Sequence, residues 1–481
     1  MYKEKSKQIS ISEFMSPFGK LDQNNRWVKI ADMIPWNKYE TKYAQRFCSD
    51  NGAPAIQFQM AMGTLIIKQR TGHSDEEILQ DIMENPYMQY LIGLHEFTTA
   101  APFSASSITN FRKYITKEML TEINEAMFGG DHDEEDKKHG GNDGKGGGLS
   151  GARPSNKGEL LLDATCAPAD IAYPTDVGLL NESREKLETI IDALHPHTGA
   201  GIKPRTYRRK ARQKYLQFIK QRKPGKAFVR KAIGQQLRYV SRDLKHIDEQ
   251  LKKVNEDILS GTQTGQLQTI RVLYTQQCEM YDKKTHSVAG RIVSISQPHV
   301  RPIIRGKSKA PVEFGAKVSV SLIKGYAFID RLDWEACNEE TTLIPAVESY
   351  KERYGFYPEA VLADKIYRSR DNRAYCKNHG IRLSGPRLGR PPKETDRDAI
   401  CQERRDASGR NAIEGKFGEG KIKYGLDRIM ARIQNSSETV IAMSFFCMNI
   451  SRKLRVLLCD FLFLFFYVRN NNKIIFSGVF G

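Results

Sequence analysis

The sequence predicts an α/β fold with a helical insertion, preceded by an all-α segment, and three observations predict it. Two short apolar runs, 160–162 and 361–363, each end in an aspartate, Asp163 and Asp364, and read as buried strands with the acid at the strand end. Short β-branched runs at 291–296, 302–305, 316–323 and 326–330 add further strands, the last two forming a hairpin about Lys324-Gly325. Apolar residues at helical spacing precede and separate these runs.

Residues 1–128 read as a helical module. Residues 54–68 are rich in helix formers, and Ser74 with Glu77 makes a capping box ahead of Ile78, Ile82 and Met83. Ser106 or Ser107 caps a helix expected to carry Ile108, Phe111, Ile115 and Leu120. Successive short helices fit a helix-turn-helix, and equally a helical hairpin that never meets DNA. Residues 129–157 are glycine-rich with almost nothing apolar, so they read as a flexible linker. The remainder divides into a catalytic-sized domain at 158–455 and an atypical hydrophobic tail at 456–481.

Inside the larger domain, 180–285 read as a helical insertion. A helix over 179–194 is followed by a stretch, Ala193 to Arg242, without a single Asp or Glu, and residues 203–242 hold 15 Lys and Arg. Arg208, Arg209, Lys210 and Arg212 lie at its centre, interleaved with Tyr207, Tyr215 and Phe218. Solvated charged faces normally mix signs, so this pattern favours contact with phosphates. Ile233, Leu237, Val240, Leu244, Ile247, Leu251, Val254 and Ile258 form a heptad seam, read as an intrachain hairpin rather than a dimer-forming coiled coil. A helix over 341–354 leads to the Asp364 strand, a Gly/Pro-rich basic loop follows at 382–393, and 440–458 form an apolar helix.

Composition narrows the partners. The formal net charge of +18 suits a polyanion. The eight cysteines include no CxxC pair, which argues against a zinc framework or disulfide scaffold, and His195-Pro-His197 reads as a loop. The first residues show no signal peptide. The apolar run 456–468 contains Asp460 and falls short of the roughly 20 residues that span a bilayer. It reads as a buried helix end, or as sequence beyond the usual end of such a chain.

The chemistry-bearing stretch is Arg410 to Lys421. Arg410 lies four residues before Glu414 and Lys421 seven after it, so one helical face presents Arg, Glu and Lys in a row. Alone, that is also how an exposed helix laced with salt bridges looks. Together with Asp163 and Asp364 it makes three carboxylates able to hold two divalent cations about 4 Å apart for attack at phosphorus. Asp170, Asp176, Asp330, Asp333 and Asp371 are rival acids, Asp176 the strongest.

In this order and spacing, Asp163, Asp364 and Glu414 with Arg410 and Lys421 resemble the DDE transposases of bacterial insertion sequences, in the IS-four/IS-five superfamily. That signature reads Tyr, two residues, Arg, three residues, Glu, six residues, Lys. Here Ala407 stands at the Tyr position. Tyr173-Pro-Thr-Asp176, Arg305-Gly-Lys, Glu313-Phe-Gly-Ala-Lys317 and Lys423-Tyr-Gly-Leu426 extend the resemblance from about residue 40 to 455. It implies a ribonuclease-H-like catalytic domain, Asp163, Asp364 and Glu414 as ligands of Mg2+ (Mn2+ the alternative), and Arg410 and Lys421 as DNA contacts. It further implies an N-terminal domain that recognises element ends, with Arg112 and Lys113 the first contacts to expect. The partners would be double-stranded DNA, both terminal repeats and target, with a homodimer and no membrane, in a prokaryotic cytoplasm at the nucleoid. A DNA-binding remnant without catalysis, or a nuclease without strand transfer, are the competing readings.

Overall fold

The computed structural model describes residues 9–48, 54–130, 156–254, 256–304, 312–335, 337–385 and 397–477, with 460–477 as backbone alone. The bulk of the expected linker, Arg305-Gly-Lys and most of the basic loop lie outside the described residues.

The N-terminal part is all-helical: α1 Arg26–Met33, α2 Trp36–Ala44, α3 Phe58–Thr71, α4 Asp75–Glu84, α5 Pro86–Leu91, α6 Ser107–Tyr114 and α7 Lys117–Phe128. The capping box closes the start of α4, with the Ser74 N–H donating to the Glu77 carboxylate (2.8 Å) and the Glu77 N–H to Ser74 Oγ (3.3 Å). The helix expected to run from Ile108 through Leu120 is two helices. The β-branched pair Ile115-Thr116 turns extended between them, and this break lets Ile108 and Leu120 both reach the core from separate helices.

One mixed sheet forms the centre of the chain: β1 Glu159–Pro168, β2 Arg301–Ile304, β3 Val312–Ile323, β4 Tyr326–Asp333, β5 Ala360–Ala363 and β6 Arg382–Leu383. β3 pairs antiparallel with β1 along one edge and with β4 and β2 along the other, while β1–β5 and β5–β6 are parallel. The β3–β4 hairpin turns at Lys324 (φ 52°) and Gly325 (φ 84°), the two positive values that a type I′ turn needs. A Cβ on Gly325 would also sit 2.9 Å from the Arg452 guanidinium. The expected strand at 291–296 is irregular. Its apolar residues bury against two different partners, Ile292 and Ile295 into the helical insertion and Val293 into the main core, so no sheet ladder forms.

The insertion consists of α8 Asp176–Leu194, α9 Arg208–Ile219, α10 Lys226–Leu251 and α11 Gly261–Lys283. It has its own core, in which Leu237, Val240, Leu244 and Ile247 of the seam meet Leu187, Ile190 and Leu194 of α8 and Ile270 and Leu273 of α11. The seam thus closes an intrachain bundle. Its helix stops at Leu251, so Val254 and Ile258 lie beyond it.

α12 Leu343–Tyr354, α13 Arg370–Asn378, α14 Arg397–Lys423 and α15 Gln434–Ser477 complete the chain, with α14 on β1 and β5 and α15 on β4. The N-terminal helices share this core: Phe128 stacks on Tyr326 (5.2 Å), and Asn449 donates to Asn124 Oδ1 (2.9 Å) and to the Ala327 carbonyl (2.7 Å). Among the described residues no helix is long and apolar enough to cross a membrane.

Candidate active site

Strand register places the two aspartates. The parallel β1–β5 pairing ends at Leu162↔Ala363, so Asp163 and Asp364 are the next residues on adjacent strands and sit side by side. Asp163 is not a strand-end residue as expected; β1 continues to Pro168, paired with β3, and only β5 stops. Asp364 instead begins a turn at Lys365–Tyr367, its Oδ1 accepting from the Lys365 N–H (2.7 Å).

α14 brings the third acid. Its close approach to β5 depends on Gly409, where a Cβ would lie 3.2 Å from Leu362, and on the buried Ile413. One residue after each of these, Arg410 Nη1 lies 3.4 Å from Asp364 Oδ1, and Glu414 stands exposed on the same flank. Lys421 occupies the last turn of α14, half-buried. Burial is the main cause that pushes the Asp163 carboxyl up to about 6; the Ala164 N–H opposes it, the carboxylates of Glu339 and Glu414 add to the rise, and Arg410 works against it. Among the described residues no three His, Cys, Asp or Glu side chains gather tightly enough to enclose an ion by themselves.

Glu339 is an acid that the sequence does not single out. The 3-10 turn Glu339–Thr342 packs on the Lys365–Tyr367 turn, and the Asn372 amide joins them by donating to the carbonyls of Glu340 (2.7 Å) and Tyr367 (2.9 Å). Glu339 pairs with Lys317 of β3 (2.9 Å), which also donates to the Cys337 carbonyl (2.7 Å). The only sequence signal toward it is Lys317, at the end of a quoted motif.

The rival acids are engaged elsewhere. Asp176 binds Arg291 (2.8 Å) and Gln277 (2.9 Å) of the insertion, Asp170 binds Arg428 (2.6 Å), Asp333 binds Arg331 (2.7 Å), and Asp330 accepts from Ser321 (2.7 Å). Asp371 lies in the first turn of α13. Of the basic residues expected on DNA, Arg209, Lys210, Arg212 and Lys113 are exposed. Arg208 forks onto Asp192 (2.8 and 3.0 Å) and Arg112 pairs with Asp75 (3.2 Å), so both already have an anionic partner.

Comparison with known proteins gives two family matches. A family described as transposase DDE domain matches residues 361–451, and one described as transposase domain (DUF772) matches residues 16–114. A Rhizobium meliloti protein described as uncharacterized protein ORF8 in nfe locus is 30% identical over 160 residues, 33% of this chain and 70% of the relative. No solved structure matches significantly. The first match spans Asp364, Arg410, Glu414 and Lys421, the second spans α1 to α6, and with them the chain belongs to the DDE transposases.

Proposed function

We propose that the chain cleaves DNA at the ends of its insertion sequence and joins the freed ends to target DNA, using Asp163, Asp364 and Glu414. The observation that supports this reading is the register that sets Asp163 beside Asp364, with Glu414 of α14 near enough to add to the rise of the Asp163 carboxyl. The strand order β4-β3-β1-β5-β6, three antiparallel strands followed by two parallel ones, supports a ribonuclease-H-like catalytic domain at 158–455.

The donors fit a hard divalent cation. All are carboxylates, and Asp163 is a partly buried acid that forms no ion pair among the described residues, Arg410 acting on it only from a distance. Asp163, Asp364 and Glu414 would hold Mg2+, or Mn2+. When bound, such ions supply charge neutralisation at the attacking and leaving oxygens. The chain's own cations do the remaining work: Arg410 and Lys421 hold phosphates by charge-assisted hydrogen bonds, and Arg209, Lys210 and Arg212 track the backbone. Residues 1–128 would read the terminal repeats, two ends would be served by a homodimer, and the place of action would be the prokaryotic nucleoid.

The test is cleavage, with magnesium, of a labelled duplex carrying the terminal repeat that flanks its own gene, comparing the natural chain with Glu414→Gln. Cleavage by the first alone, with equal DNA binding, supports the site; joined product on supplying cleaved ends separates a transposase from a nuclease. Equal cleavage by both removes Glu414 from it. No cleavage by either, with binding intact, favours a DNA-binding remnant, a reading to which Ala407 at the signature's Tyr position lends support.

A further inference from the structure

Asp364, Lys365 and Ile366 are all exposed, so packing does little to fix the turn that carries the acid. Hydrogen bonds at its two flanks hold it instead. β6 pairs with β5 for two residues only, Ala360↔Arg382 and Val361↔Leu383, and the ladder closes with the Ser384 N–H donating to the Val361 carbonyl (2.9 Å). A parallel ladder would continue from the Ala363 N–H to the Ser384 carbonyl. Here the Ser384 hydroxyl takes that N–H (3.0 Å) and donates to the Ala363 carbonyl (3.3 Å).

The Ser384 carbonyl is thereby left for Arg368, four residues past Asp364. Arg368 Nη1 donates to it and reaches the carbonyls of Leu383 (3.2 Å) and Gly385 (3.1 Å). Gly385 has φ 107°, and a Cβ there would stand 3.2 Å from Cδ and Nη1 of Arg368, so this close approach needs a glycine. Residues 383–385 thus grip the Asp364 turn at both ends, at Ala363 directly before the acid and at Arg368, which closes the Lys365–Tyr367 turn. Ser384 and Ala363 are both buried, so water does not compete for the bonds between them. Without the hydroxyl, the N–H and carbonyl of Ala363 would lose this partner one residue before Asp364.

We propose that Ser384 is a positioning residue for the metal chemistry. Its hydroxyl fixes the backbone from which Asp364 presents its carboxylate to a divalent cation, and Arg368 braces the same turn from its far end. The proposal rests on Asp364 being a ligand of that cation.

The test uses the full chain without DNA and reads Mn2+ affinity from the loss of the free ion's paramagnetic resonance signal, with urea midpoints measured beside it. Asp364→Asn is the reference and should weaken Mn2+ binding at least about tenfold. Ser384→Ala should weaken it about fivefold, the worth of one hydrogen bond, and raise the magnesium concentration at half-maximal cleavage by the same factor. Ser384→Thr keeps the hydroxyl and should restore both. Arg368→Met, at a half-buried site, should move Mn2+ affinity in the same direction as Ser384→Ala and serves if that variant does not fold. Natural Mn2+ affinity in a folded Ser384→Ala, or in Arg368→Met where the former does not fold, overturns the proposal when Asp364→Asn has lost it, even if the urea midpoint falls. Natural affinity in Asp364→Asn removes Asp364 as a ligand, and the proposal with it.

Discussion

Arg410 of α14 reaches across to Asp364 at the end of β5, Nη1 to Oδ1 3.4 Å. The contact links the helix that carries Glu414 to the strand end that carries Asp364, and Arg410 also lowers the cost of ionising Asp163. Asp364 is 56% exposed, so the pair itself stabilises the fold little. Arg410→Gln is therefore expected to shift the unfolding free energy by less than about 1 kcal/mol, yet to slow cleavage at least about tenfold through the lost phosphate contact. Urea unfolding and single-turnover cleavage measure the two. A large stability loss with unchanged cleavage would make Arg410 a strut.

Glu339 offers a second case in which geometry and charge disagree with sequence rank. Lys317 is only 14% exposed, and Glu339 is its counter-charge as well as the carboxylate that does most to raise Asp163. Glu339→Gln should raise the magnesium concentration at half-maximal cleavage several-fold, because negative charge leaves the site, and should cost about 1–3 kcal/mol as Lys317 loses its partner. A magnesium titration decides. An unchanged midpoint with lowered stability would confine Glu339 to holding Lys317.

Why the sequence points to one set and not the other follows from what is local. Arg410, Glu414 and Lys421 lie on one helix, so spacing alone puts them on one face, and the helix is there from Arg397 to Lys423. Asp163 and Asp364 are legible as acids after apolar runs. Their adjacency, however, is a matter of parallel register across about 200 residues, which no local pattern encodes. Glu339 depends on a turn packed against another turn, and an irregular segment has no period to read. The stretch 291–296 fails for the opposite reason: it is β-branched as a strand is, yet its apolar residues are claimed by two cores, Val293 by that of the sheet and Ile292 and Ile295 by that of the insertion.

Cleavage should depend on pH through Asp163. Its carboxyl is raised to about 6, chiefly by burial, so the ionised form that a cation needs grows as pH rises through that value. At limiting magnesium the rate is expected to climb about tenfold per pH unit below 6 and to level off above. A bound cation favours the ionised form, so saturating magnesium should move the profile to lower pH. A flat profile between pH 5 and 7 under both conditions would exclude this titration from the rate.

The insertion carries a pH dependence of its own. Asp243 of α10 is wholly buried, and burial pushes its carboxyl up to about 7; Arg242 opposes the rise, Glu188 adds to it and Arg184 opposes it. Its Oδ2 has no partner among the described residues, so the ionised form is poorly held. In the unfolded chain the same group ionises near 3.8, so between about 4 and 7 the folded state binds the extra proton. Stability must then fall as pH rises through that window. Asp243→Asn keeps the shape and removes the titration, so its stability relative to the natural chain should improve by about 1–3 kcal/mol on going from pH 5 to pH 8. Urea midpoints at the two pH values test this, and parallel shifts in both proteins would show that Asp243 stays ionised, held by Arg184 and Arg242. If the gain is found, a bundle that presents the basic α9 is tuned by one buried acid beneath it, and Asp243→Asn should leave the salt dependence of DNA binding unchanged, because no cation of α9 has been altered.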